Sequence, residues 1–481
     1  MPKILAIDQG TTSTRAIVFS DTWDILHVAQ KELQLFYPQN GWVEQNPEDI
    51  LADCLSCIDE CIKYHPDITA IGITNQRETT ILWDKETGKP LYNAIVWQDR
   101  RTAEYCASLK THESAVRNKT GLRLDPYFSA TKINWILENV DGARRKAEAE
   151  ELLFGTIDSF LLWHLTGGKI HATDMSNASR TMLFNINTLK WDDDLLNLFQ
   201  IPKSILPDVK ENISDFGHYK NIPITAMAGD QQAALIGQAC IKKGMIKSTY
   251  GTGCFMLMNI GDTPKISNHQ LLTSIGYVIH GKTNYVLEGS IFVAGAAIQW
   301  LRDEMEFFED AGESEELAKS VDDTGGVYFV PAFTGLGAPY WNPDVRGAIF
   351  GLTRGTTKAH ITRAALEAQA FQTKDLMNAM ILDTGINTFL LRIDGGLAKN
   401  GFVGQFLADI LNVQVDIPKS VETTALGIAY LSAIGKGILS SLHDIPELWK
   451  KNASYKASMS DKDRNSMYAV WTSHIQRLIS P

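Results

Sequence analysis

Cysteine is scarce in this sequence, with six residues in 481. That count excludes the disulfide framework of a small secreted domain. Positive charge is not in excess either: 45 Lys and Arg face 56 Asp and Glu, a formal charge of −11. Such an acidic balance argues against nucleic acid or an anionic membrane as a partner. No run of about 18 apolar residues occurs, so no membrane insertion is expected. The opening MPKILAIDQG is too short an apolar run for a signal peptide, and a cytoplasmic location is the expectation. None of the glycine-rich turns matches the P-loop pattern or the full dinucleotide-binding pattern. What is present is ordinary globular material, 44% hydrophobic and 21% charged, in a chain long enough to bury a core without disulfides. Length predicts two or three domains, and two if they are large α/β units.

The chain opens with two apolar runs, Ile4 to Ile7 and Arg15 to Phe19, around the turn Asp8-Gln9-Gly10-Thr11-Thr12-Ser13. They read as a β-hairpin. The pattern recurs about half a chain later, where Ser248 to Tyr250 leads through Gly251-Thr252-Gly253 into Phe255 to Met258. This predicts two domains of one design. Residues 229–244 read as a helix, with Asp230 at its start and Gly244 after its end, and the boundary is placed near it. Helical patterns also cover 131–140, 294–308, 358–380 and 463–479, and strand patterns cover 70–74, 80–83, 94–97 and 390–393. Strands alternating with helices in both halves predict an α/β class.

Cys54, Cys57 and Cys61 fall at helical spacing. A zinc site would need a fourth ligand, for which His65 is nearest. The other reading is a buried apolar stripe shared with Leu51, Leu55, Ile58 and Ile62, since reduced cysteine behaves as a small hydrophobe.

Three turns follow strands and carry glycine: 8–12, 251–253 and 394–396. Glycine lets the backbone approach a phosphate, and successive N–H groups form an anion-binding concavity. In the first turn an Asp is placed to hold Mg²⁺ through water while the hydroxyls face phosphate oxygens. Plain hairpins would look the same. Asp230, in Ala-Met-Ala-Gly-Asp-Gln-Gln, is either a helix N-cap or a general base at a cleft edge, and the two roles can coexist. Asn75-Gln76-Arg77-Glu78-Thr79-Thr80 is either a solvated loop or a set of donors and acceptors for a ligand with several hydroxyls. Trp97 and Tyr127 would then wall its carbon chain.

Taken together and in order, DQGTTSTRAIVF, GITNQRETTI, NAIVWQDRRTAE, DPYFSATKINWIL, SNASRTMLFNI, AGDQQAALIGQ, TYGTGCFMLMN, PAFTGLGAPYW and RGAIFGLTRG resemble the FGGY family of carbohydrate kinases, of the actin- and hexokinase-like ATPase superfamily. The resemblance covers most of the chain. Residues 127–139 and 347–367 look like the family's two signatures. It implies two actin-like (ribonuclease H-like) α/β domains, residues 1–238 and 239–481, with mixed sheets flanked by helices and closing over a central cleft. It also implies transfer of the ATP γ-phosphoryl group, with Mg²⁺, to a terminal hydroxyl of glycerol.

Carried over position by position, the resemblance gives Asp230 as catalytic base. Arg77, Glu78, Trp97, Tyr127, Asp230, Gln231 and Phe255 would bind glycerol. Thr11, Thr12, Ser13, Arg15, Thr252, Gly295, Gln299, Gly396 and Asn400 would contact ATP, and Asp8 would hold Mg²⁺. A homodimer or homotetramer is implied. The stretch Gly217 to Pro223 lacks the glycines and Arg of members inhibited by fructose bisphosphate, so that inhibition is not expected. His218 reads as an exposed loop histidine rather than a phosphorylation site. The rival expectations are an FGGY kinase acting on another polyol or a ketose, and a non-catalytic nucleotide-binding protein of actin-like fold.

Overall fold

The computed structural model describes residues 2–480. Each half is built on one mixed sheet. In the first, the strands lie side by side as Ile25–Glu32, Ser13–Phe19, Lys3–Gln9, Ile68–Asn75, Ile222–Gly229, with His218–Tyr219 at the edge. The first three run antiparallel as a meander, and the next two add in parallel. In the second sheet Lys282–Ile291, Cys254–Gly261, Ile246–Tyr250, Leu390–Asp394 and Gln414–Pro418 take the same places. Again three strands are antiparallel and two join in parallel. In these five places the two sheets share one arrangement; the second adds Leu272–Ile279, which precedes Lys282–Ile291 in sequence and pairs along its outer edge, and Lys451–Tyr455 at the opposite edge. The repeated Gly-Thr turn occupies the same place in each, between the first and second strands.

Alternation along the strands divides the first sheet into two apolar faces. Leu5, Ile7, Ala16 and Val18 face one side, where Ile50, Cys54, Cys57, Ile58 and Cys61 of the helix Pro47–Tyr64 cover them. The three cysteines are therefore a buried helical stripe. Burial holds the Cys57 thiol up at about 11 and that of Cys61 at about 12. His65 hydrogen-bonds instead with Lys3, at 3.3 Å.

Ile4, Ala6, Ile17 and Phe19 face the other side and pack on the helix Thr423–Gly435, which comes from the second half of the chain. That helix is buried nearly all round, as a helix between a sheet and another helix must be. Its second neighbour is the helix Asp230–Gly237, and the two cross at backbone contact. A Cβ on Gly427 would lie 1.8 Å from the Ala233 carbonyl oxygen, and one on Gly237 would lie 1.9 Å from that of Thr423.

The helix expected over 229–244 is shorter than its sequence suggests, ending at Gly237. Gln238 turns its side chain to the Asp394 carboxylate at 2.6 Å, and Ala239 adopts φ +49°, which breaks the α-ladder. Of the strand expected over 94–97, only Ala94–Ile95 pairs. Among the described residues no helix is long and apolar enough to cross a membrane.

Candidate active site

The polar segments singled out in the sequence lie at the carboxyl ends of the first, fourth and fifth strands of the first sheet. Asp8 pairs across to Thr74, and Thr74 to Ala228. Parallel pairing in register therefore delivers Asp8, Asn75 to Glu78, and Asp230 to one end of the sheet. In the second sheet Thr249 pairs with Asp394, which brings turns 251–253 and 395–396 together by the same logic.

Asp230 opens its helix, but the N-cap is Gly229. The Asp230 side chain accepts from the Gln231 N–H at 2.6 Å and lies 3.3 Å from Arg77 Nε. It remains 30% exposed, while the Arg77 and Glu78 side chains are each 2% exposed. Burial raises the Asp230 carboxyl above its ordinary value, against the opposing pull of Arg77 and Lys247. Glu78 holds φ +62°, a left-handed conformation uncommon outside glycine. Its carboxylate accepts from Arg180 Nε at 2.5 Å.

Trp97, Tyr127 and Phe255 come together as an aromatic wall. The Trp97 ring centroid is 5.6 Å from that of Tyr127 and 6.1 Å from that of Phe255, both edge-on. Phe255 belongs to the second half, so the wall spans both halves. The Trp97 indole N–H donates to Thr11 Oγ1 at 2.9 Å, linking the wall to the first Gly-Thr turn. Gln231 accepts from the Lys247 ammonium.

Of the residues implied for nucleotide binding, Thr12, Thr252, Gln299 and Gly396 are exposed, and Thr11, Ser13 and Gly295 are half-buried. The Gly295 N–H donates to the Gly251 carbonyl at 2.9 Å, so the helix Gly295–Asp303 starts against the second turn. Gly395, at φ +89°, packs so close to Tyr250 that a Cβ would lie 2.3 Å from its carbonyl oxygen. Asn400 is buried and occupied: it caps the helix Gly401–Leu411 and donates to Ser314 at 3.3 Å. Arg15 forks between Asp8 and Glu422, at 2.5 Å to each. Burial still lifts the Asp8 carboxyl above its ordinary value.

Sequence reasoning did not single out Arg180, Glu288 or Lys247. Arg180 and Glu288 lock Arg77 and Glu78 into a buried ion cluster, and Lys247 is a buried ammonium near Asp230 and Asp394. The available signal was one charged residue inside an otherwise uncharged strand, as Glu288 is in Tyr285 to Ile291 and Lys247 in Ile246 to Tyr250.

Residues 3–237 match the model of the FGGY family of carbohydrate kinases, N-terminal domain, and residues 246–435 match that of its C-terminal domain. The chain is 57% identical to a glycerol kinase of Nitrosomonas eutropha, covering 99% of this chain and 98% of that one. It is 55% identical to a glycerol kinase of Bacillus licheniformis, covering 97% of each. The crystal structure of Plasmodium falciparum glycerol kinase with ADP superposes with a TM-score of 0.96 at 39% identity, covering 100% and 99% of the two chains. A gluconate kinase from Lactobacillus acidophilus shares the fold, with a TM-score of 0.89 at 23% identity over 99% and 98% of the chains. By these matches across both halves, the chain belongs to the FGGY family of carbohydrate kinases.

Proposed function

We propose that this chain transfers the γ-phosphoryl group of Mg·ATP to a terminal hydroxyl of glycerol, giving sn-glycerol 3-phosphate and ADP. The observation that carries this reading is a partly exposed Asp230 carboxylate 3.3 Å from Arg77, whose sequence neighbour Glu78 is held by Arg180, itself 5.5 Å from the Tyr127 ring of the aromatic wall. Arg77, Glu78 and Gln231 offer donors and acceptors to hydroxyls, and the three rings offer contact to a short carbon chain. Relatives at 57% and 55% identity are glycerol kinases, which supports the same substrate here.

Phosphoryl transfer is mostly positioning and charge stabilisation. Asp230 would accept the proton of the attacking hydroxyl as the new O–P bond forms. A carboxyl raised by burial is a stronger base once ionised than an ordinary surface carboxylate. The turns at 10–13 and 251–253, with Gly295, Gln299 and Gly396, would receive the nucleotide. The Plasmodium falciparum glycerol kinase structure holds ADP, which supports an adenine nucleotide as the phosphoryl donor. An analogue lacking one hydroxyl would leave a buried group of Arg77 or Glu78 unpaired, which penalises it.

Among the described residues no group of three or more His, Cys, Asp or Glu is placed to hold a metal ion. A sparse protein donor set with one buried carboxylate at a phosphate-binding turn fits Mg²⁺. That ion keeps several waters and takes one or two carboxylates plus substrate phosphates. Asp8 would hold it through water. When bound, Mg²⁺ neutralises phosphate charge.

The test is ADP release from Mg·ATP with and without glycerol, for the wild type and Asp230→Asn. The expected result is glycerol-dependent turnover that falls by about 10²–10⁴-fold in the variant. Turnover on a pentulose or another polyol in place of glycerol would overturn the substrate. ATP binding with no turnover on any of them would overturn the kinase reading itself.

A further inference from the structure

Arg77 and Glu78 are adjacent in sequence and opposite in charge, yet they barely pair. The distance from Arg77 Nε to Glu78 Oε1 is 3.9 Å. Each is neutralised by another residue. Both η nitrogens of Arg77 donate to Glu288, at 2.6 Å to Oε2 and 3.1 Å to Oε1. Glu78 is neutralised by Arg180 Nε at 2.5 Å. Arg180 then closes the ring: its Nη2 donates to Glu288 Oε1 at 3.0 Å, and its Nη1 to Ser274 Oγ at 2.7 Å. The four charged side chains are 0–2% exposed and carry two positive and two negative charges.

We propose that Glu288 and Arg180 are positioning residues for glycerol, a bracket that fixes the rotamers of Arg77 and Glu78 from across the two halves of the chain. Glu288 and Ser274 stand on adjacent strands of the second sheet, whereas Arg77, Glu78 and Arg180 belong to the first half. This proposal rests on the glycerol reading above.

Geometry gives the bracket a direction. With both Arg77 η nitrogens committed to Glu288, only its Nε edge faces Asp230. Without the Glu288 charge, the guanidinium would turn its fork to the nearest remaining carboxylates, Glu78 and Asp230. It would then withdraw from the hydroxyls and tie up the base. A bidentate guanidinium–carboxylate pair is specific in this way because its two parallel bonds set the plane of the fork. Shape packing alone would not explain a charge-balanced ring that joins one residue pair to the opposite sheet. A buried ion cluster adds little net stability over apolar packing, so its presence beside the site points to orientation.

The experiment measures steady-state kinetics with glycerol and ATP varied separately for Glu288→Gln, Glu288→Asp, Arg180→Lys and Ser274→Ala. Circular dichroism and ADP affinity serve as controls of folding. Glu288→Gln is expected to raise KM for glycerol by about tenfold or more, with KM for ATP within about twofold of wild type. Glu288→Asp keeps the charge and is expected to recover part of the loss. Arg180→Lys keeps a charge but loses the fork, and should also raise KM for glycerol alone. Ser274→Ala removes one hydroxyl and leaves every charge in place. It is expected to raise KM for glycerol about two- to fivefold, and it carries the test if the charge variants do not fold.

Folded Glu288→Gln or Ser274→Ala with unchanged KM for glycerol would overturn the bracket. So would equal rises in both KM values. Absence of glycerol-dependent turnover in the wild type would overturn the function instead, so the two failures are told apart.

Discussion

Asp230 combines partial exposure with a carboxyl whose proton affinity is raised by burial, despite Arg77 at 3.3 Å and Lys247 nearby. In the proposed role of general base Asp230 must be ionised, so kcat/KM should fall as pH drops through that raised value. The acid limb should therefore have its midpoint above the 3.8 of an ordinary aspartate. The same shift has a consequence for stability. Between the unfolded and folded pKa values the folded chain holds the extra proton, so stability falls as pH rises through that window and stays reduced above it. Asp230→Asn should therefore unfold at a higher temperature than wild type at neutral pH in the absence of ligands, while losing the acid limb together with activity. A variant less stable than wild type at pH 7 and equal to it at pH 3 would show that the Arg77 pairing outweighs burial.

Much at this scale was legible in the sequence. Arg77 and Glu78 stand in a polar segment between two apolar strands, and Asp230 follows a strand and opens a helix. Arg180 and Glu288 were not legible as a pair, because they lie 108 residues apart. An isolated Glu in a strand ordinarily marks a solvent-facing position, and only its partners from the first half make it a buried one.

Two helices explain how the carboxyl ends of the sheets are held together. Helix Thr423–Gly435 has Thr423 donating to Asp394 of the second sheet at 2.6 Å, while its length lies on the first sheet. Helix Asp230–Gly237, which begins with the proposed base, lies against it through the Gly237 and Gly427 contact. The position of Asp230 thus depends on an interhelical distance that only glycine permits. Gly427→Ala would place a methyl 1.8 Å from a backbone oxygen that cannot rotate away. It should lower stability by about 3 kcal/mol or more. Gly355→Ala, at an exposed site with its nearest atom 3.8 Å away, should change stability by less than about 0.5 kcal/mol. Chemical denaturation of the two variants checks this, and near-equal midpoints would refute the close crossing. The helical pattern from Asp230 onward was readable in the sequence, and so was the repeated turn, whereas the helix Thr423–Gly435 was not singled out there. The crossing was not, because nothing local in GIAYLSAIG says which half of the chain it covers.

The paired Gly-Thr turns suggest two self-contained halves, and the sheets do repeat one core arrangement of five strands, but the packing is interlocked. One face of the first sheet is closed by its own helix Pro47–Tyr64, and the other by Thr423–Gly435 from near the far end of the chain. A fragment of residues 1–238 would therefore keep every strand of the first sheet and still expose Ile4, Ala6, Ile17 and Phe19 as one apolar face. It would also leave Arg77 without Glu288, a buried guanidinium stripped of its bidentate partner. Both effects act against folding, the first by lost apolar burial and the second by an uncompensated charge. The fragment should keep far-UV helix and sheet signals but lack near-UV structure, bind a hydrophobic dye, and melt without a cooperative transition. The whole chain should unfold in one main transition, since neither half is complete without the other. Adding a synthetic peptide of residues 420–437 to the fragment should restore part of the near-UV signal and suppress dye binding, because it returns the missing cover. A fragment that melts cooperatively without the peptide would mean that the first half closes its own core, and that the long reach of Thr423–Gly435 serves only to couple the two sheets.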